Sequence, residues 1–194
     1  SRPWTHWLVW NIGAAETPPV ERFMSALLNA QKPVIAEVDG VAVGIGTTLL
    51  MHCDLAYASE RAQFKTPFVD LALAPEYASS LLFPARLGRS PASDLLLLGS
   101  VWDSERALQA GMIAGIFPSG TLSDEVRQRA LALAAKSPGA VRQAKALINA
   151  EPESVDARIL KEGQLFAEML QSPEFAEAAT AFMERRKPDF SKFG

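Results

Sequence analysis

Apolar positions recur along this chain in two different registers, and the change between them divides it. Short apolar runs bounded by turn residues, Val34 to Val38 and Asp54 to Ala58, predict strands suited to a parallel sheet. Before them, Val20, Phe23, Met24, Leu27 and Leu28 recur at helical spacing from Thr17-Pro18-Pro19 to about Ala30, with proline suiting the first turn. Asp39-Gly40 predicts a tight turn after the first strand. Gly44-Ile45-Gly46 predicts the glycine-spaced start of a helix carrying Leu49, Leu50 and Cys53. After the second strand the chain makes a hairpin-like excursion through Phe64, and Ala74-Pro75-Glu76 predicts the opening of another helix. This strand–turn–helix–strand order is that of an α/β crossover unit.

From Ser90 the register becomes helical. Ser90-Pro91, Ser137-Pro138 and Ser172-Pro173 each read as an N-cap followed by proline at the first helical position. Gly99 and Gly111 read as helix stops, and Ile113 to Phe117 as a last strand. Four helices are expected beyond it. Their apolar stripes are Val126, Ala130 and Leu133 in 121–136; Val141, Ala144, the Lys145 stem and Ile148 in 138–149; Val155, Ile159, Phe166 and Leu170 in 153–171; and Phe175, Ala179 and Phe182 in 173–186. The expected organisation is an α/β core over 1–120 and a helical region over 121–194.

Composition narrows the function classes. At 194 residues and 48% hydrophobic the chain can bury one sizeable core. A formal charge of −3 argues against nucleic acid as a partner. One cysteine, Cys53, excludes an internal disulfide framework. No apolar run approaches the roughly 18 residues that span a bilayer, and no signal-peptide pattern is present. His6, His52 and Cys53 do not form a metal-ligand spacing. Neither a G-x-S-x-G elbow nor a Walker A sequence occurs. Gly44-Ile45-Gly46 is half of a dinucleotide fingerprint, but Leu49 stands where the third glycine belongs. The opening SRPWTHWLVWNIG starts without methionine, carries three tryptophans and has no clean period, as either an appended segment or the cut end of a longer chain would.

Two features carry candidate chemistry. Gly44 and Gly46 either let a strand–helix turn pack tightly or expose the N–H of Ile45 to a carbonyl oxygen that gains charge. Glu76 is either a carboxylate favoured by a helix dipole or a base suspended among the apolar neighbours Leu71, Leu73, Tyr77 and Leu81. The residues alone leave both pairs of readings open.

Several blocks in order resemble the crotonase (enoyl-CoA hydratase/isomerase) superfamily. They are Lys32 to Ala36, Asp39 to Gly46, Cys53 to Ala58, Ala62-Gln63-Phe64, Ala107 to Ile113 and Phe182 to Phe190, and the resemblance covers nearly everything from Pro19 onward. It implies an α/β fold, a spiral of ββα turns, followed by a helical C-terminal region that builds homotrimers, often stacked as hexamers. It also implies an acyl-CoA thioester substrate, with no cofactor beyond the coenzyme A that the substrate carries. An enolate-like anion would be held by two backbone N–H groups. One of these falls at Ile45, with Gly44 and Gly46 lining the substrate. The other comes from an N-terminal motif that Asn11-Ile12-Gly13 matches only faintly, and the early strands upstream of that motif are expected to be missing.

Hydratases of the superfamily carry two catalytic glutamates, and the matching positions here hold Thr48 and Phe68. The stretches Phe64 to Phe68, Leu73 to Glu76, Ser79-Ser80 and Phe83-Pro84 are similar to the peroxisomal-type Δ3,Δ2-enoyl-CoA isomerases, which implies that Glu76 is the single acid/base. The alternatives are a truncated, non-catalytic oligomeric scaffold or acyl-CoA binder, and an enoyl-CoA hydratase. Ser191 to Gly194 does not read as a peroxisomal address, so the expected location is cytoplasmic, with neither nucleic acid nor membrane as a partner.

Overall fold

A computed structural model describes residues 18–193. Helix α1, Pro19–Leu28, opens on Pro18 and Pro19, where the missing N–H is one the helix could not have used. The chain then winds through two small sheets. Strand β1, Ile35–Val38, turns at Asp39-Gly40 into β2, Val41–Val43, which belongs to the other sheet. Helix α2, Ile45–Thr48, and a 3-10 turn over Leu49–His52 lead to β3, Leu55–Ser59, parallel to β1 with Ala36 opposite Ala56. Strand β4, Gln63–Lys65, lies parallel to β2 with Ala42 opposite Phe64. Helices α3, Ser79–Leu87, and α4, Arg89–Leu96, close this second circuit. A two-residue strand β5, Trp102–Asp103, antiparallel to β4, leads through α5, Ser104–Gln109, to β6, Gly115–Phe117, parallel to β3. Among the described residues the sheets are ordered β1-β3-β6 and β2-β4-β5. Each circuit places a strand in each sheet and a helix outside, which is the ββα winding that the resemblance implied.

The core fills the space between the sheets and α2 to α5. Phe64, Phe83, Leu95 and Ala107 are fully buried, with Leu50, Met51 and Trp102 nearly so. Two buried hydroxyls are tied within it: Thr66 Oγ1 donates to Leu95 O at 2.7 Å, and Ser104 Oγ donates to Ser59 O. Strand β1 departs from its expected double-sided burial. Its residues are only half-buried and Glu37 is exposed.

Helix α6, Leu122–Ala134, packs back on the first sheet, burying Leu122 and Val126 against Tyr57. The expected division at residue 120 therefore falls between β6 and a helix that belongs to the sheet's own core. Helices α7, Pro138–Ile148, α8, Val155–Met169, and α9, Pro173–Met183, bury almost nothing among the described residues. Their predicted stripes are present, but Ile148, Val155, Ile159, Phe166 and Phe182 are mostly exposed. Ser137 and Ser172 cap as expected, accepting from Ala140 N and Phe175 N. Ser90 does not: α4 is capped two residues earlier, by Gly88, and Pro91 sits in the first turn, where its missing N–H is harmless.

The β1–β2 turn is pinned by charge. Asp39 pairs with Arg61 and accepts from Ser119 Oγ at 2.6 Å, joining the turn to the loop after β6. Arg61 first, and then Ser119, pull the Asp39 pKa down to about 2. An unfolded aspartate titrates at about 3.9, so the folded chain binds this proton less readily. The stabilisation is therefore complete above that value and is lost as pH falls toward 2. The gap in urea midpoint between wild type and Asp39→Asn is expected to narrow across that window. An unchanged gap down to pH ~2 contradicts the assignment.

Candidate active site

The conformation of Gly44 fixes the first component. Its φ of 57° and ψ of −120° are those of the first central residue of a type II′ turn, open to glycine and strained for any L residue. The Gly44 N–H is spent on Lys65 O at 2.9 Å, and its carbonyl accepts from Thr47 N and Thr48 N at 2.9 and 3.0 Å. Because the peptide is planar and trans, a carbonyl locked into the helix sends the N–H of Ile45 the opposite way, out of the helix start. The N–H groups of Ile45 and Gly46 open α2 and have no intrahelical acceptor. Among the described residues a Cβ on Gly46 would meet only Ala42 Cβ, at 3.8 Å, on the β2 side. Gly44 thus has a conformational reason to be glycine, and Gly46 has none of that kind.

Two adjacent, fully buried threonines fix the rest. Thr47 Oγ1 donates to Ala42 O at 2.8 Å and anchors α2 to β2. Thr48 Oγ1 donates to Glu76 Oε1 at 2.6 Å. Since Ile45 and Thr48 are three residues apart on one helical turn, roughly 4.5 Å along the axis, the carboxylate of Glu76 lies against the same short helix whose opening N–H is Ile45. Glu76 itself is half-buried.

The loop carrying Glu76 is strapped to that helix. His52 Nε2 contacts Tyr77 O at 2.9 Å, and the two rings stack with centroids 3.7 Å apart. Tyr77 Oη donates to Met24 O at 2.7 Å, and Ser79 Oγ donates to Glu76 O at 2.7 Å. Tyr77 and Ala78 sit at φ 53° and 56°, a left-handed conformation that costs non-glycine residues energy and that these contacts hold in place. Burial, followed by the nearby Cys53 and Glu76 charges, pushes the Tyr77 hydroxyl up. Burial and then the Asp54 charge raise the Cys53 thiol, so it is no ready nucleophile.

Two expectations change here. Glu76 is not in the first turn of a helix: α3 starts at Ser79, three residues on, and the dipole reading loses its geometry. Nor do Leu71, Leu73 and Leu81 enclose it. They are exposed, and Tyr77 alone of the four neighbours packs inward, onto His52. What sequence reasoning missed is Thr48, noted there only as a glutamate's replacement. Phe68, at the other hydratase position, is buried apolar core. Asn11-Ile12-Gly13 and the tryptophan segment lie outside the described residues. Among the described residues no three His, Cys, Asp or Glu side chains gather as a metal-ligand set, and no helix is long and apolar enough to cross a membrane.

Comparison with known proteins places this geometry. The profile of a family described as enoyl-CoA hydratase/isomerase matches residues 13–192. The chain belongs to the enoyl-CoA hydratase/isomerase family. Among solved structures, one from Magnetospirillum magneticum AMB-1 superposes with a TM-score of 0.90 at 38% identity, covering 95% of this chain and 73% of that one. Its own assignment as an enoyl-CoA hydratase/carnithine racemase is provisional. The fold is accordingly the α/β crotonase fold. Mouse enoyl-CoA delta isomerase 3, peroxisomal, is 31% identical over 92% of this chain. The 2,3-dehydroadipyl-CoA hydratase of Escherichia coli (strain K12) is 34% identical over 82% of it. The chain spans 56% and 63% of the lengths of these two enoyl-CoA hydratase/isomerase relatives.

Proposed function

We propose that this family member is a Δ3,Δ2-enoyl-CoA isomerase acting on a fatty acyl-CoA thioester. The observation that carries the reading is the Thr48–Glu76 hydrogen bond, which holds the one candidate base against the helix that starts with the Ile45 N–H. Glu76 removes a proton from C2 of the substrate. The electrons move the C3=C4 bond to C2=C3 through a dienolate, and Glu76 returns the proton at C4. The thioester oxygen takes the negative charge and shares it with the Ile45 N–H, the one described donor of an oxyanion hole. Gly44 sets that N–H, and Gly44 and Gly46 leave the helix start open to the thioester.

No water is activated in this reaction, and this fits Thr48 and Phe68 at the positions where a hydratase carries glutamates. The names of the relatives include both activities, so the deciding measurement runs both. The expected result is conversion of 3-enoyl-CoA to 2-enoyl-CoA by the purified protein, with hydration of 2-enoyl-CoA slower by a hundredfold or so, a barrier difference of about 2.7 kcal/mol. Hydration as fast as isomerisation overturns the assignment, and acyl-CoA binding without either reaction favours a non-catalytic binder. The exposed apolar faces of α7 to α9 support a homotrimer in which a second copy covers them. A sizing measurement that returns a monomer removes that part.

A further inference from the structure

Glu76 has to deliver one carboxylate oxygen first to C2 and then to C4, and a glutamate side chain does not hold such an aim unaided, because its terminal torsion is broad and nearly two-fold. Its backbone is fixed by Ser79 and the His52–Tyr77 strap, but these contacts stop short of the carboxylate. We infer that Thr48 is the positioning residue for Glu76: its buried hydroxyl pins Oε1 and leaves Oε2 as the oxygen that moves the proton. This rests on the reading of Glu76 as the base.

Three observations converge on it. The Oγ1–Oε1 separation of 2.6 Å lies in the range of a hydroxyl donating to a carboxylate. Thr48 is fully buried, so water does not compete for its single proton, and its β-branched χ1 is stiff. Among the described residues, Thr48 is the sole side-chain partner of the Glu76 carboxylate. One turn of helix then sets both the charge-receiving N–H and the direction of the base, so the distance between the two is a property of α2 rather than of a loop.

The test separates hydroxyl from shape, with the isomerisation of 3-enoyl-CoA as the readout. Thr48→Val keeps the volume and loses the donor, and kcat is expected to fall roughly ten- to a hundredfold, the worth of one hydrogen bond to a charged group. KM should stay within about twofold, since the bond serves the base and not substrate binding. Thr48→Ser keeps the donor and loses the methyl, and should recover most of the wild-type kcat. If valine does not fold there, Thr48→Ala set against Thr48→Ser asks the same question. Normal kcat in Thr48→Val, or a serine variant as slow as the valine one, overturns the inference. Glu76→Gln runs alongside. If it is inactive while Thr48→Val is normal, the base stands and the positioning role fails. If Glu76→Gln or an inert wild type shows that Glu76 is no base, both fall together.

Discussion

Glu76→Gln should lose between about a hundredfold and ten-thousandfold in kcat for isomerisation, toward the upper end because in the proposed reaction one carboxylate serves both proton transfers. The substitution is a fair one. Glutamine keeps an Oε1 that can accept from Thr48 Oγ1, now 2.6 Å away, so the strapped loop has no reason to move. What disappears is the basic oxygen. KM should change by no more than about threefold, because an interaction made at the proton-transfer step lowers kcat and kcat/KM together. Steady-state kinetics on the purified variant, with a melting curve to show that it is folded, gives the answer. Equal rates in the two proteins would remove Glu76 from the mechanism, and with it the isomerase assignment, while leaving the fold and the family untouched.

How far such a site can be read in advance depends on the range of the forces that build it. The helices with proline at the first turn and serine caps, α7 and α9, were legible because capping is local: Ser137 and Ser172 each act on an N–H three residues away. Strands β2 and β5 were not, since three and two residues carry no measurable alternation, and they exist because Phe64 on β4 pairs across to Ala42 and Trp102. Ile45 stands out as a candidate because glycines flank it. The contact of Thr48 with Glu76 was invisible because the two are 28 residues apart, and no spacing rule links a helix threonine to a loop glutamate. The exposed stripes of α7 to α9 show the converse. Their periodicity marks an apolar face correctly, but among the described residues nothing covers it.

Gly44→Ala is the second large effect, and it separates backbone direction from side-chain bulk. Among the described residues nothing lies within 4 Å of where the new Cβ would sit, so they impose no clash. The penalty is purely conformational: φ 57° with ψ −120° excludes an L residue, at a cost on the order of 1–3 kcal/mol. The chain can escape by rotating the peptide between residues 44 and 45, and this is the unit that carries both the carbonyl locked by Thr47 and Thr48 and the Ile45 N–H. Either outcome is informative. If the plane holds, alanine lowers the melting temperature and leaves kcat near wild type. If it rotates, stability partly recovers while the proposed oxyanion donor, the Ile45 N–H, turns away, with kcat down by about a hundredfold or more. The second outcome is expected, because α2 is a single turn and resists rotation weakly. An alanine variant that matches wild type in both melting temperature and kcat would mean that neither the strain at Gly44 nor the Ile45 N–H matters to this protein.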